Sequence, residues 1–138
     1  MSFTRRETMV LGAGAAMAGF LPMTVNAAAD DAIAAFTGGA SVTEGGVDLI
    51  APEIAENGNT VPIQVGAEGA VAIMLLATGN PTPGVATFSF GDLAGAHMAS
   101  TRIRLAGTQD VVAVAKMADG SFKQASANVK VTIGGCGG

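Results

Sequence analysis

Tryptophan and tyrosine are absent, and histidine and cysteine occur once each among 138 residues. With no Trp or Tyr and only six Phe, the composition argues against recognition of bases or sugars by stacking. A single cysteine cannot close an internal disulfide, so the fold must hold without a covalent staple. The thiol is then either free and reactive or shared with another molecule. One histidine, His97, gives no His-based metal cluster, and Asp92 and His97 have no third ligand candidate beside them. Met98 does not make a copper site on its own. Charge is also sparse: 13% of residues are charged, with 7 basic and 11 acidic. No Lys/Arg cluster of the kind that marks a nucleic-acid surface is present. Long apolar runs are missing too. The uncharged stretch Val10 to Val25 is rich in Gly, Ala and Met, too short and too weakly apolar for a comfortable membrane span of roughly 20 strongly apolar residues.

That same stretch has a place in an export signal. Arg5-Arg6 follows Ser2-Phe3-Thr4, the uncharged run follows the arginines, and Val25-Asn26-Ala27 supplies small residues for a signal peptidase. The order Arg-Arg, apolar run, small-residue site resembles a twin-arginine leader over residues 1–27, with Ala27-Ala28-Ala29 as an alternative cleavage site. It predicts a periplasmic protein, exported folded, with no membrane segment in the mature form. Arg5, Arg6 and Glu7 leave with the leader, which takes the rest of the chain to 5 basic and 10 acidic residues. A partner without its own leader could travel with such a cargo.

The remaining residues suffice for one domain. Asp30 to Phe36 reads as a short helix with acidic residues at its start, ended by Gly38-Gly39. Short apolar runs separated by turn residues follow: Val47–Ile50, Val61–Val65, Ala70–Ala77, Ala86–Phe90, Thr101–Ala106, Asp110–Met117, Ser121–Ala125 and Asn128–Ile133. Pro52 to Asn59 reads as a loop or a short helical turn. Pro62 places its strand at a sheet edge. Seven or eight short strands at this spacing predict an all-β, immunoglobulin-like antiparallel sandwich over residues 28–133. Ala70–Ala77 is apolar on both faces, whereas a two-layer sandwich leaves one face of each strand polar. The excess predicts that its outer face meets another subunit.

The most informative feature is the ending Gly134-Gly135-Cys136-Gly137-Gly138. Four glycines surround the only thiol, with no side chain beside it to bury it. Gly adds conformational freedom and no bulk, so residues 134–138 read as a swinging arm that a narrow pocket can admit. At roughly 3.3–3.6 Å per residue, the thiol reaches about 10 Å beyond Ile133. Thiol–disulfide exchange or oxidative coupling can load such a thiol. The terminal carboxylate opposes thiolate formation and the approach of an anion, so positive charge must come from whichever enzyme accepts the arm. A prenylation box needs three residues after the cysteine, and a lipoprotein cysteine would stand at the leader's end. Ubiquitin-like carriers share a Gly-Gly ending but use the terminal carboxylate in the cytoplasm. An enzyme in its own right needs a base near the thiol, and His97, in the loop 91–100, is the only histidine to offer. The alternative is a structural or adhesion-type sandwich that uses Cys136 for an intermolecular disulfide.

The ending Val129-Lys130-Val131-Thr132-Ile133-Gly134-Gly135-Cys136-Gly137-Gly138 resembles the tail of the SoxY family, the sulfur-carrier subunits of bacterial Sox thiosulfate-oxidation systems. The segment from Ala51-Pro52-Glu53-Ile54 to Thr60-Val61-Pro62 is similar to a segment of that family as well. The resemblance implies a covalent carrier without cofactors and not an enzyme, with Cys136 as the attachment point and Gly134, Gly135, Gly137 and Gly138 as the arm. It implies a heterodimer with a SoxZ-like subunit of immunoglobulin-like fold. It also implies three partner enzymes. A SoxAX-like haem c enzyme joins thiosulfate to the cysteine, a SoxB-like dimanganese hydrolase releases sulfate, and a SoxCD-like molybdenum enzyme oxidises the remaining sulfur.

Overall fold

The computed structural model describes residues 26–134. The leader read over residues 1–27 lies outside them except for Asn26 and Ala27. One helix, α1 (Asn26–Thr37), is followed by nine strands among the described residues: β1 (Val42–Glu44), β2 (Asp48–Ile50), β3 (Ile54–Asn57), β4 (Val61–Gly66), β5 (Ala70–Ala77), β6 (Gly84–Ser89), β7 (Met98–Ile103), β8 (Gln109–Met117) and β9 (Phe122–Ile133). No described helix is long and apolar enough to cross a membrane. The strands form two sheets. The larger runs β1-β9-β8-β5-β6, with β3 also on β9, and the smaller runs β2-β4-β7.

Alternation builds the sandwich core. In β4, Val61, Ile63 and Val65 are buried while Pro62 is exposed; in β5, Ile73, Leu75 and Ala77 face the same interior. Ile103, Leu105, Val111, Ala113 and Val129 complete it, and Phe88 and Phe90 pack against its rim. The outward Arg102 and Arg104 alternate with the inward Ile103 and Leu105. Each fully buried Leu or Ile contributes about 1.5–3 kcal/mol on removal from water.

The outer face of β5 differs from the expectation. Met74 and Leu76 form a second buried cluster with Val114 and Phe122, and Ala32, Ile33 and Phe36 of α1 pack on it. Phe36 meets Phe122 edge to face, centroids 6.0 Å apart. The apolar excess of this strand is therefore covered within the chain, by its own helix, rather than by a second subunit. The helix itself starts earlier than predicted, which moves Asp30 and Asp31 out of the first turn, so the dipole argument for them falls. Its end is as expected. Gly38 and Gly39 adopt φ +66° and +85°, and Gly39 N–H donates to Ala34 C=O at 3.1 Å, the backbone arrangement that glycine permits after a helix.

Three further differences concern pairing. Residues 54–57 form a strand rather than a loop, parallel to the end of β9. β1 is also parallel to β9, so the larger sheet is mixed. The two last segments predicted from the sequence are one continuous strand of 12 residues. Pro62 lies in the middle strand of its sheet, yet β2 pairs only with Gln64–Gly66. Proline, which has no N–H to donate, thus faces a neighbour on the β7 side alone, opposite Arg102.

Candidate functional site

Strand β9 carries the chain to its cysteine. It pairs with β8 along one edge, Gln109 opposite Val129, and with β3 along the other, Asn57 opposite Ile133. Backbone bonds tie its last residues. Lys130 N–H donates to Glu53 C=O at 2.9 Å, and Gly58 N–H donates to Ile133 C=O at 2.7 Å. Val131 N–H donates to Thr108 Oγ1 at 2.9 Å. Leu105 N–H donates to Gly58 C=O at 2.8 Å, so one residue, Gly58, bridges the extension of β7 to the end of β9.

Gly134 follows immediately, and its freedom from a side chain has a steric use. A Cβ there would strike the carbonyl oxygen of Ala106 and come within 3.2 Å of its carbonyl carbon. The sequence reading made Gly134 the first residue of the arm. In the fold, it is a residue that passes hard against the backbone of Ala106 in the loop 104–108. The remaining arm residues, Gly135, Cys136, Gly137 and Gly138, lie outside the described residues.

The loop against Gly134 is fixed from below by two buried amides. Asn80 is 2% exposed and Gln109 is 7% exposed. Asn80 Nδ2 donates to Arg104 C=O at 2.8 Å, and Asn80 Oδ1 accepts from Ala106 N–H at 2.9 Å. Gln109 Nε2 donates to Asn80 Oδ1 at 2.8 Å and to Gly107 C=O at 3.0 Å. Gln109 Oε1 accepts from Gly79 N–H at 2.8 Å. Every amide atom is engaged, and leaving such a group unpaired costs about 1–3 kcal/mol. Gly79 is held close as well: a Cβ there would come 2.9 Å from Gln109 Cβ. In the sequence, Asn80 opens the turn-forming run Asn80-Pro81-Thr82-Pro83-Gly84, and Gln109 carries no local mark. Nothing local in a sequence distinguishes a buried amide from a solvated one.

His97 stands elsewhere. Its Nδ1 lies 2.5 Å from Ala70 C=O, its ring tilts on Phe90 with centroids 5.5 Å apart, and Ala67 N–H donates to its carbonyl at 3.0 Å. The ring is thus a half-buried brace for the β4–β5 turn rather than a solvated loop residue. It also lines an open groove of about 990 Å³ with Asp48, Gln64, Glu68 and Met98.

The family model for sulfur oxidation protein SoxY matches residues 33–136, a span that includes Cys136. Among solved structures, the sulfur carrier protein SoxY from Chlorobium limicola f thiosulfatophilum is similar at 37% identity and a TM-score of 0.68, over 78% of this chain and 98% of that one. A superoxide reductase (neelaredoxin) from Ignicoccus hospitalis shares 15% identity at a TM-score of 0.55, over 65% of this chain and 80% of that one, and shows the sandwich fold alone. No curated protein sequence matches. A fold shared with a carrier along nearly that carrier's whole length, and a family match reaching the terminal cysteine, agree: this chain belongs to the SoxY family of sulfur oxidation proteins.

Proposed function

We propose that this protein carries thiosulfate-derived sulfur covalently on Cys136, in the periplasm, and presents it to separate enzymes. The observation that supports this reading most is the lone thiol set between glycines directly after a strand end tied on both edges. Loading joins the cysteine sulfur to the outer sulfur of thiosulfate. The S–H bond is lost, an S–S bond forms, one proton leaves, and two electrons pass to a haem c enzyme of the SoxAX kind. Water then cleaves the bond between the outer sulfur and the sulfone in a SoxB-like hydrolase. Sulfate departs and a persulfide stays on Cys136. A SoxCD-like molybdenum enzyme can take six electrons from that sulfur with three waters, leaving a cysteine S-sulfonate for a second hydrolysis. In this scheme the carrier supplies tether and placement, and no group of its own acts as base or electron acceptor. A SoxZ-like subunit is the expected companion in a heterodimer.

Intact mass spectrometry tests the reading. Protein from cells grown with thiosulfate should carry reducible adducts of sulfur or thiosulfate mass, and Cys136→Ser should carry none. A bare thiol or a plain disulfide dimer with and without thiosulfate would sink it and favour a structural sandwich linked through Cys136.

A further inference from the structure

We infer that Gly134 is the seat of the arm, a fixed pivot against the Ala106 carbonyl, and that loading of Cys136 by its oxidising enzyme depends on this seat; the inference rests on the carrier reading above. Glycine in such a tail is ordinarily credited with freedom. At residue 134 the fold demands closeness instead, because a Cβ would collide with backbone rather than with the movable end of a side chain. That backbone cannot give way easily. Asn80 grips it on either side of Leu105, through Arg104 C=O and Ala106 N–H, while Gln109 holds Asn80 and Gly107 C=O. On the other side, Ile133 is tied through its carbonyl to Gly58. Any side chain at 134 must therefore move the arm and not the loop.

The consequence is one of aim. From a pivot at Gly134 the thiol stands two residues away, a radius of about 7 Å at roughly 3.3–3.6 Å per residue. Chain length alone sets that limit on how far the thiol can reach from Gly134, and an enzyme that admits the arm can be built to that reach. Displacing the pivot by about 1 Å shifts the reacting sulfur by as much or more, and misplacement of that size can lower a rate by up to about 100-fold. Gly134 is thus a positioning residue, distinct in role from Gly135, whose lack of a side chain only eases entry.

The test compares the full chain with Gly134→Ala and Gly135→Ala, both at the terminus and past the last paired residue, so that folding is not at stake. Each protein is loaded with thiosulfate by its own haem c enzyme, and kcat/KM is followed by mass spectrometry of Cys136. Each is also titrated with a small disulfide reagent, which reports the thiol without any docking. The expected result is a fall of at least 10-fold in enzymatic loading for Gly134→Ala, a fall at least several-fold smaller for Gly135→Ala, and unchanged reagent rates for both. Backbone relaxation should find the wild-type Gly134 amide as ordered as β9. Equal losses in the two variants would overturn the seat, because glycine freedom alone would then explain both. A fully active Gly134→Ala protein, or a disordered Gly134 amide, would overturn it too. Failure of every protein to load, wild type included, with ordered Gly134, would locate the error in the carrier reading instead and withdraw the functional role of the seat with it.

Discussion

At the scale of single residues, the sharpest electrostatic feature lies at the opposite end of β9 from Gly134. Asp119 closes the β8–β9 hairpin, where Gly120 takes φ +87°. Its Oδ1 accepts from Ser121 Oγ at 2.6 Å and from Ser121 N–H at 2.9 Å. The Ser121 hydroxyl, then its backbone N–H, and more weakly the charge of Lys123 hold the Asp119 carboxyl below its ordinary value of 3.8. A carboxyl depressed in the folded state adds stability above its unfolded pKa and loses it as pH falls through the folded one. The exposed site keeps the effect small. Asp119→Asn should therefore lower the urea midpoint at neutral pH by a slight amount, and the gap should close below the ordinary aspartate range. A gap that persists in acid would mean that the charge has no part in the turn. The run Ala118-Asp119-Gly120 between two apolar stretches is itself a turn signal in the sequence. By contrast, the use of Gly134 was not legible there, since its neighbour Ala106 is close only in the folded chain. Cys136 was conspicuous because its own neighbours in sequence are glycines, a local signal.

Among elements, α1 has the clearest energetic task. It covers Met74, Leu76, Val114 and Phe122, and Phe36 makes the ring contact with Phe122. Because Phe36 is only half-buried, Phe36→Ala should cost about 2 kcal/mol rather than the 3–5 of a core Phe, lowering Tm by roughly 10 °C in a domain this size. Thermal unfolding of the isolated chain checks this. A silent substitution would show that the helix contact adds nothing measurable to the stability of this face. Strand β5 was readable because eight consecutive apolar residues bounded by Gly69 and Gly79 fit a buried strand of that length. Its cover was not, because α1 and β5 are joined only by tertiary packing. β3 was missed for a related reason. Ile54 is exposed and only Ala55 is buried, so residues 54–57 show no strong alternation. Their strand character comes from parallel pairing with β9, some 75 residues on.

For the whole molecule, the predicted leader and the fold meet inside one helix. The boundary read from the sequence falls after Ala27, and α1 begins at Asn26. Ala29 is 3% exposed, and Ala32, Ile33 and Phe36 follow it onto the sheet. Cleavage after Ala27 removes the first two residues of α1 and leaves this buried set whole. Cleavage after Ala29, the other small-residue site, strips a buried alanine from the packed face. Helix ends fray readily and tolerate the loss of a residue or two, whereas buried contacts do not. The mature protein should thus begin at Ala28, and intact mass spectrometry of the exported form reads this directly. A chain of residues 28–138 should unfold within about 2 °C of the uncleaved protein, while one of residues 30–138 should unfold several degrees lower, by the roughly 1 kcal/mol that a buried small side chain and its turn of helix contribute. A mature form starting at Asp30 with undiminished Tm would separate the leader from the fold and make the first turn of α1 dispensable.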